Sequence, residues 1–185
     1  TDIIMGHYGN KGEQVALPFA IAEAVEVAGP IFRVTQGNWD LSDQYNGSVT
    51  IVNKTADGST VTTKEKNFTE VSVTVRDQKP TFGADGKGNF AMQISFVFVN
   101  GKQYQVRLHN TDKDGNYKLQ NMGGTNSLTG WKWQADLTTA QKQKLLEGDG
   151  VEFAVKLVGS DAELYVDGRK MAAVALGAEY AGKTA

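Results

Sequence analysis

Between Phe90 and Asn121 apolar and polar residues alternate in three runs, separated by Asn100-Gly101 and by Asp112-Lys113-Asp114-Gly115. Period-two alternation broken by turn residues predicts an antiparallel meander. The faces set its register, because a slip of one residue exchanges them. A two-residue Asn-Gly turn would place Phe98, Phe96 and Ile94 beside Gln103, Gln105 and Arg107, mixing apolar with polar positions. A three-residue loop, Val99-Asn100-Gly101 with Gly101 at positive φ, instead matches Phe96 with Tyr104, Ile94 with Val106 and Met92 with Leu108. One face is then wholly apolar. The other carries Gln93, Ser95, Val97, Gln103, Gln105, Arg107 and His109, and a four-residue second turn adds Lys118 and Gln120 beside His109 and Arg107.

Similar patterns occupy most of the chain. Ile31 to Thr35, Ser48 to Asn53, Thr60 to Lys64 and Phe68 to Arg76 read as strands, the second and third as a hairpin over Ala56-Asp57-Gly58-Ser59. Residues 1–16 read as an irregular entry or a short edge strand. Val15 to Val27 reads as extended chain, with a helix from Phe19 as the alternative, because Pro18 and the β-branched residues oppose a helix. Gly37 to Gly47, Phe82 to Asn89 and Gly123 to Gly130 are loops. Thr139 to Glu147 is the one helix, with Thr138 and Gln141 forming a capping box and Gly148 suited to a left-handed end. Val151 to Val158 and Ala162 to Asp167 form a last hairpin, with Phe153, Val155, Leu157, Leu164 and Val166 inward and Lys156, Glu163 and Tyr165 outward.

Short strands, antiparallel turns and a single helix of about 138–147 predict an all-β fold: one domain over 1–185, a two-sheet antiparallel β-sandwich. A barrel is the lesser alternative. At 185 residues the chain can bury about 70% of its unfolded surface without staples. The absence of cysteine excludes thiolate metal sites, cysteine nucleophiles and disulfides. A net charge of −2 with evenly spread signs argues against nucleic acid as a partner, and no run of ~18 apolar residues argues for membrane insertion. Beginning at Thr1 and ending in the small-residue run Ala178 to Ala185, the chain reads as a domain cut from a longer or processed protein. Its Thr-, Gly- and Asn-rich composition suits a bacterial cell surface or an extracellular location.

The segment VEFAVKLVGSDAELYVDGRKMAAVAL, with Tyr165-Val166-Asp167-Gly168 closing a strand, resembles the final strands of laminin-G-like and other concanavalin A-like lectin/glucanase domains. The resemblance covers about a quarter of the chain. It implies a jelly roll of two curved sheets, used by some relatives to bind glycans and by others to bind proteins.

Candidate chemistry is sparse. Glu147, Asp149 and Glu152 have the spacing of the Glu-x-Asp-x-x-Glu set of glucanases in that superfamily, but Gly148 and Gly150 make the segment a helix-to-strand connector. Asp112, Asp114 and Asn116 could ligate calcium; a hairpin turn using Asp and Gly for their backbone habits is the preferred reading. His7 and His109 belong to no zincin or hydrolase motif. Trp131 and Trp133 share a strand face with Ala135 and Leu137 and read as core before sugar platform, whereas Trp39 and Tyr45 lie in a polar loop. The expected function is therefore a non-catalytic carbohydrate-binding module. Its candidate ligand residues are Gln93, Gln103, Gln105, Arg107, His109, Lys118 and Gln120, with Trp39 and Tyr45 as aromatic partners. A protein-binding adhesion or assembly domain is the alternative, and a glycoside hydrolase ranks last.

Overall fold

The computed structural model describes residues 2–8, 14–23, 31–53, 59–63, 68–77, 80, 84–111 and 116–180. Their strands are β1 (Asp2–Tyr8), β2 (Val15–Glu23), β3 (Phe32–Gln36), β4 (Asn38–Asp40), β5 (Ser48–Asn53), β6 (Ser59–Thr63) and β7 (Phe68–Val75). They continue with β8 (Ala91–Val97), β9 (Gln103–Asn110), β10 (Tyr117–Asn121) and β11 (Lys132–Asp136), then helix α1 (Thr139–Glu147), β12 (Val151–Val158), β13 (Asp161–Val166) and β14 (Arg169–Ala175). Two antiparallel seven-stranded sheets result, in the orders β11-β10-β9-β8-β1-β6-β3 and β14-β13-β12-β7-β2-β5-β4. The fold is the expected all-β two-sheet sandwich. No helix of the described residues is long and apolar enough to cross a membrane.

The first sheet is built on the central hairpin in the register that its faces require. Phe96 pairs with Tyr104, Ile94 with Val106 and Met92 with Leu108, and all six side chains are fully buried. Gly101 turns at φ 81°, a conformation open to glycine at little steric cost, and its N–H donates to the Phe98 carbonyl at 2.8 Å. β10 then sets Lys118 beside His109 and Gln120 beside Arg107. The opposite wall of the core comes from alternate residues of the second sheet, among them Val71, Val73, Phe153, Val155, Leu164 and Val166.

Several connections differ from the local reading. Asp2–Tyr8 is neither irregular nor an edge: it pairs with β8 on one side and β6 on the other, sending Ile3 and Met5 into the core. The glycines that follow hid a strand whose pairing is entirely long-range. β5 and β6 are not a hairpin, because β5 joins β2 and β4 while β6 joins β1 and β3 in the other sheet. Both strands turn an apolar face to one core from opposite sides, and the expected turn residues Ala56, Asp57 and Gly58 lie outside the described residues. The loop expected from Gly37 to Gly47 contains β4, which Gly37, at φ 80°, carries from the edge of one sheet to the edge of the other.

The helix closes one end of the sandwich. Thr138 Oγ1 accepts from the Gln141 N–H at 3.2 Å and the Gln141 side chain accepts from the Thr138 N–H at 2.9 Å, so the capping box is complete. Gly148 is extended rather than left-handed, at φ −99°. A Cβ there would lie 2.9 Å from the Lys144 carbonyl oxygen, so glycine serves close approach. The β13–β14 turn is Asp167-Gly168, at φ 50° and 77°, a type I′ geometry matched to the strand twist. Asp167 also accepts from the Glu152 N–H at 2.8 Å and pairs with Lys144 at 3.0 Å, tying that turn to the helix.

Replacing Phe96 by Ala should cost about 3–5 kcal/mol of unfolding free energy by leaving a cavity between the sheets. Val99→Ser, on the exposed loop of the same hairpin, should change stability by less than ~0.5 kcal/mol. Urea melts of the two variants check the contrast, and similar losses in both would contradict the assigned register.

Candidate functional site

Register alone assembles a row of residues across the outer face of the first sheet. Gln36 pairs with Thr60, Thr60 with Gly6, Gly6 with Gln93, Gln93 with Arg107, Arg107 with Gln120 and Gln120 with Trp133. Each of the seven strands contributes one member. An adjacent row runs from Ala91 through His109 and Lys118 to Asp136. The middle of this face is hollow because Gly6 has no side chain and Ala91 only a methyl. A cleft of about 340 Å³ opens there, with Gln93, Arg107 and His109 on one side and Gln36 and Thr60 on the other.

The tryptophans correct the core assignment. Asp136 and Ala135 pair with Lys118 and Leu119, but Trp133 pairs with Gln120, so Gln134 is an extra residue, a β-bulge. Crossing the bulge reverses the face. Ala135 stays with the inward Leu119, while Trp133 and Trp131 turn outward, 43% and 57% exposed. Gly123 leaves room for the second ring, since a Cβ there would stand 2.8 Å from Trp131 Cδ1. The rings rest on the polar rows: the Arg107 guanidinium lies 5.3 Å from the Trp131 ring centre, Lys118 Nζ 5.6 Å from that of Trp133, and the His109 ring stacks on Trp133 at 6.0 Å.

The polar groups hold one another in place. Arg107 Nε donates to Gln120 Oε1 at 2.7 Å, Gln93 Nε2 donates to Ser95 Oγ at 2.9 Å, and Lys118 pairs with Asp136 at 3.1 Å. Burial is the main reason that the His109 pKa is pushed down to about 4, with the Arg107 charge adding to it, so the imidazole is neutral at neutral pH. Its Nδ1 is buried without a hydrogen-bond partner among the described residues.

Comparison of the chain with protein-family models, with curated proteins and with solved structures returns no match. The site is therefore read from its own geometry.

The remaining candidates separate. Gln93, Arg107 and His109 line the cleft, and Lys118 and Gln120 lie between it and the tryptophans. Gln103 sits at the far end of β9, opposite Val97, and Gln105 Oε1 is occupied by the Ser127 hydroxyl at 2.8 Å. Trp39 is corrected outright. It is 7% exposed on β4 of the other sheet, and its Nε1 donates to the Gln36 carbonyl at 3.0 Å, bracing the far wall of the cleft. Tyr45 is 64% exposed, but on a single 3₁₀ turn beside β5 of that second sheet. Asp112 and Asp114 lie outside the described residues. The Asn116 carbonyl accepts from the Thr111 N–H at 2.8 Å, and among the described residues no three acidic or histidine side chains cluster to hold a metal. Glu147, Asp149 and Glu152 are exposed and spread over a helix end, a turn and a strand. Sequence reasoning missed Gly6, Gln36, Thr60 and Gly88, which reach the cleft through long-range pairing or loop position.

The displaced His109 pKa has a signed consequence. With about 4 in the folded state against about 6.5 unfolded, the unfolded chain binds more protons between these values. The stability tied to neutral His109 is present above about pH 6.5 and is lost as pH falls toward 4. Thermal midpoints at pH 7 and pH 5 should therefore fall further in the parent protein than in His109→Gln, and equal falls would contradict this burial.

Proposed function

We propose that the domain is a non-catalytic carbohydrate-binding module of a secreted or cell-surface protein, concanavalin A-like in kind, with its glycan on the outer face of the first sheet. The observation that carries the reading is the placement of Trp131 and Trp133 on the face that also holds Gln93, Arg107, His109, Lys118 and Gln120. Sugars need planar polar groups for their vicinal hydroxyls and an aromatic ring against their apolar face. Here a polar cleft adjoins two exposed rings, and the long side chains beside it are already held by neighbours, which lowers the ordering cost of binding.

Protein binding is the second reading, since Trp and Arg are side chains that commonly anchor protein interfaces. The hollow floor at Gly6 and Ala91 favours a narrow polar ligand over a flat protein surface. Hydrolysis has less support, because retaining glycosidases place two carboxyl groups about 5–5.5 Å apart across the bond, and no carboxylate lines this cleft among the described residues.

A glycan array identifies the ligand and calorimetry tests the face. Trp133→Ala and Arg107→Ala should each weaken binding by about 1–3 kcal/mol, through lost apolar contact and a lost desolvated donor respectively. Tyr45→Ala should leave affinity unchanged. Undiminished affinity in both face variants would place the site elsewhere.

A further inference from the structure

The charge inventory of the cleft is one-sided. Among the described residues that line it, Arg107 is the sole permanently charged one, and none of them carries a carboxylate. Lys118, the neighbouring cation, is already neutralised by Asp136 at 3.1 Å. The contacts that Arg107 makes among the described residues are neutral: Nε donates to the Gln120 amide oxygen at 2.7 Å, and the guanidinium sits over the Trp131 ring. The four Nη hydrogens have no acceptor among the described residues. Partial burial without a counter-ion is costly for a cation, and here it pulls the Arg107 pKa below its ordinary value.

We propose that the glycan is acidic, with its oxyanion, a sugar carboxylate or a sulfate ester, received by the free Nη edge of Arg107. The inference rests on the carbohydrate-binding reading. A guanidinium is a planar fork whose parallel N–H groups match such an oxyanion with two hydrogen bonds. In this site the fork is oriented before the ligand arrives. Gln120 fixes Nε and Trp131 supports the guanidinium, so little side-chain freedom remains to be lost on binding. Gln93, opposite Arg107 in the register, lies where neighbouring sugar hydroxyls would fall. The ligand's negative charge then supplies a counter-ion that the described lining of the cleft does not.

The test is an array of uronate-containing, sialylated and sulfated glycans beside their carboxyl-reduced or desulfated counterparts, followed by calorimetry on the strongest pair with the full chain. The acidic member should bind at least tenfold more tightly. The carboxylate and sulfate arms identify which oxyanion is used. Arg107→Gln should bring the two members to within about twofold of each other, and Arg107→Lys should keep part of the preference, since charge remains while the fork is lost. Raising NaCl from 50 to 300 mM should weaken the acidic ligand selectively, a readout that holds even if Arg107→Gln fails to fold. Equal affinity for acidic and neutral members, with Trp133→Ala still weakening both, would overturn this inference and leave the carbohydrate-binding reading standing. A blank array would overturn both, and Arg107-dependent capture of an acidic peptide in its place would assign the face to protein.

Discussion

The pairing of β8 with β9 is the constraint on which the rest of the structure depends. Phe96 opposite Tyr104 places six apolar side chains in the core, and the same choice places Gln93, Arg107 and His109 together on the outside. A slip of one residue would exchange these sets, exposing the apolar residues and burying an arginine and several amides. Core and candidate site are thus two consequences of one register. Tyr104 marks the coupling, because its ring is buried while its hydroxyl donates to Asn121 Oδ1 at 2.8 Å at the end of the neighbouring strand.

That register was legible because alternation over adjacent strands leaves only one wholly apolar face, and Asn100-Gly101 marks the loop. Lys118 and Gln120 followed from the second turn by the same arithmetic. Less legible was anything set by distant partners. β1 has an unremarkable local pattern, and its place between β8 and β6 is decided by strands more than fifty residues away in sequence. Crossing between sheets hid the relation of β5 to β6, since the turn signal between them also fits a hairpin. Trp131 and Trp133 show how one inserted residue overturns a face assignment. Strict alternation put them with Ala135 inside, and the bulge at Gln134 puts them outside. Their clue was Gly123, whose missing side chain leaves room for Trp131, although the sequence alone does not bring that pair together.

Trp39 exchanged roles with them. Its polar neighbours suggested an accessible ring, yet a three-residue edge strand buries it, and its indole N–H supports the backbone of Gln36. The aromatic that was expected to meet ligand thus braces a wall, and the two expected in the core face solvent. Burial also shapes the electrostatics: it keeps His109 neutral, and with no carboxylate among the described lining residues the cleft presents one positive fork among neutral groups. On the carbohydrate-binding proposal, such a site would select by hydrogen-bond geometry and by the sign of that charge.

The three tryptophans allow the central claim, that a glycan lies on the outer face of the first sheet, to be tested in a single titration. Indole N–H resonances of the ¹⁵N-labelled protein report each ring separately, with buried Trp39 as an internal reference. On addition of a glycan identified by array, the account predicts that the Trp131 and Trp133 signals move together and saturate with the calorimetric affinity, while Trp39 moves little. Saturable binding that leaves Trp131 and Trp133 unmoved would contradict it.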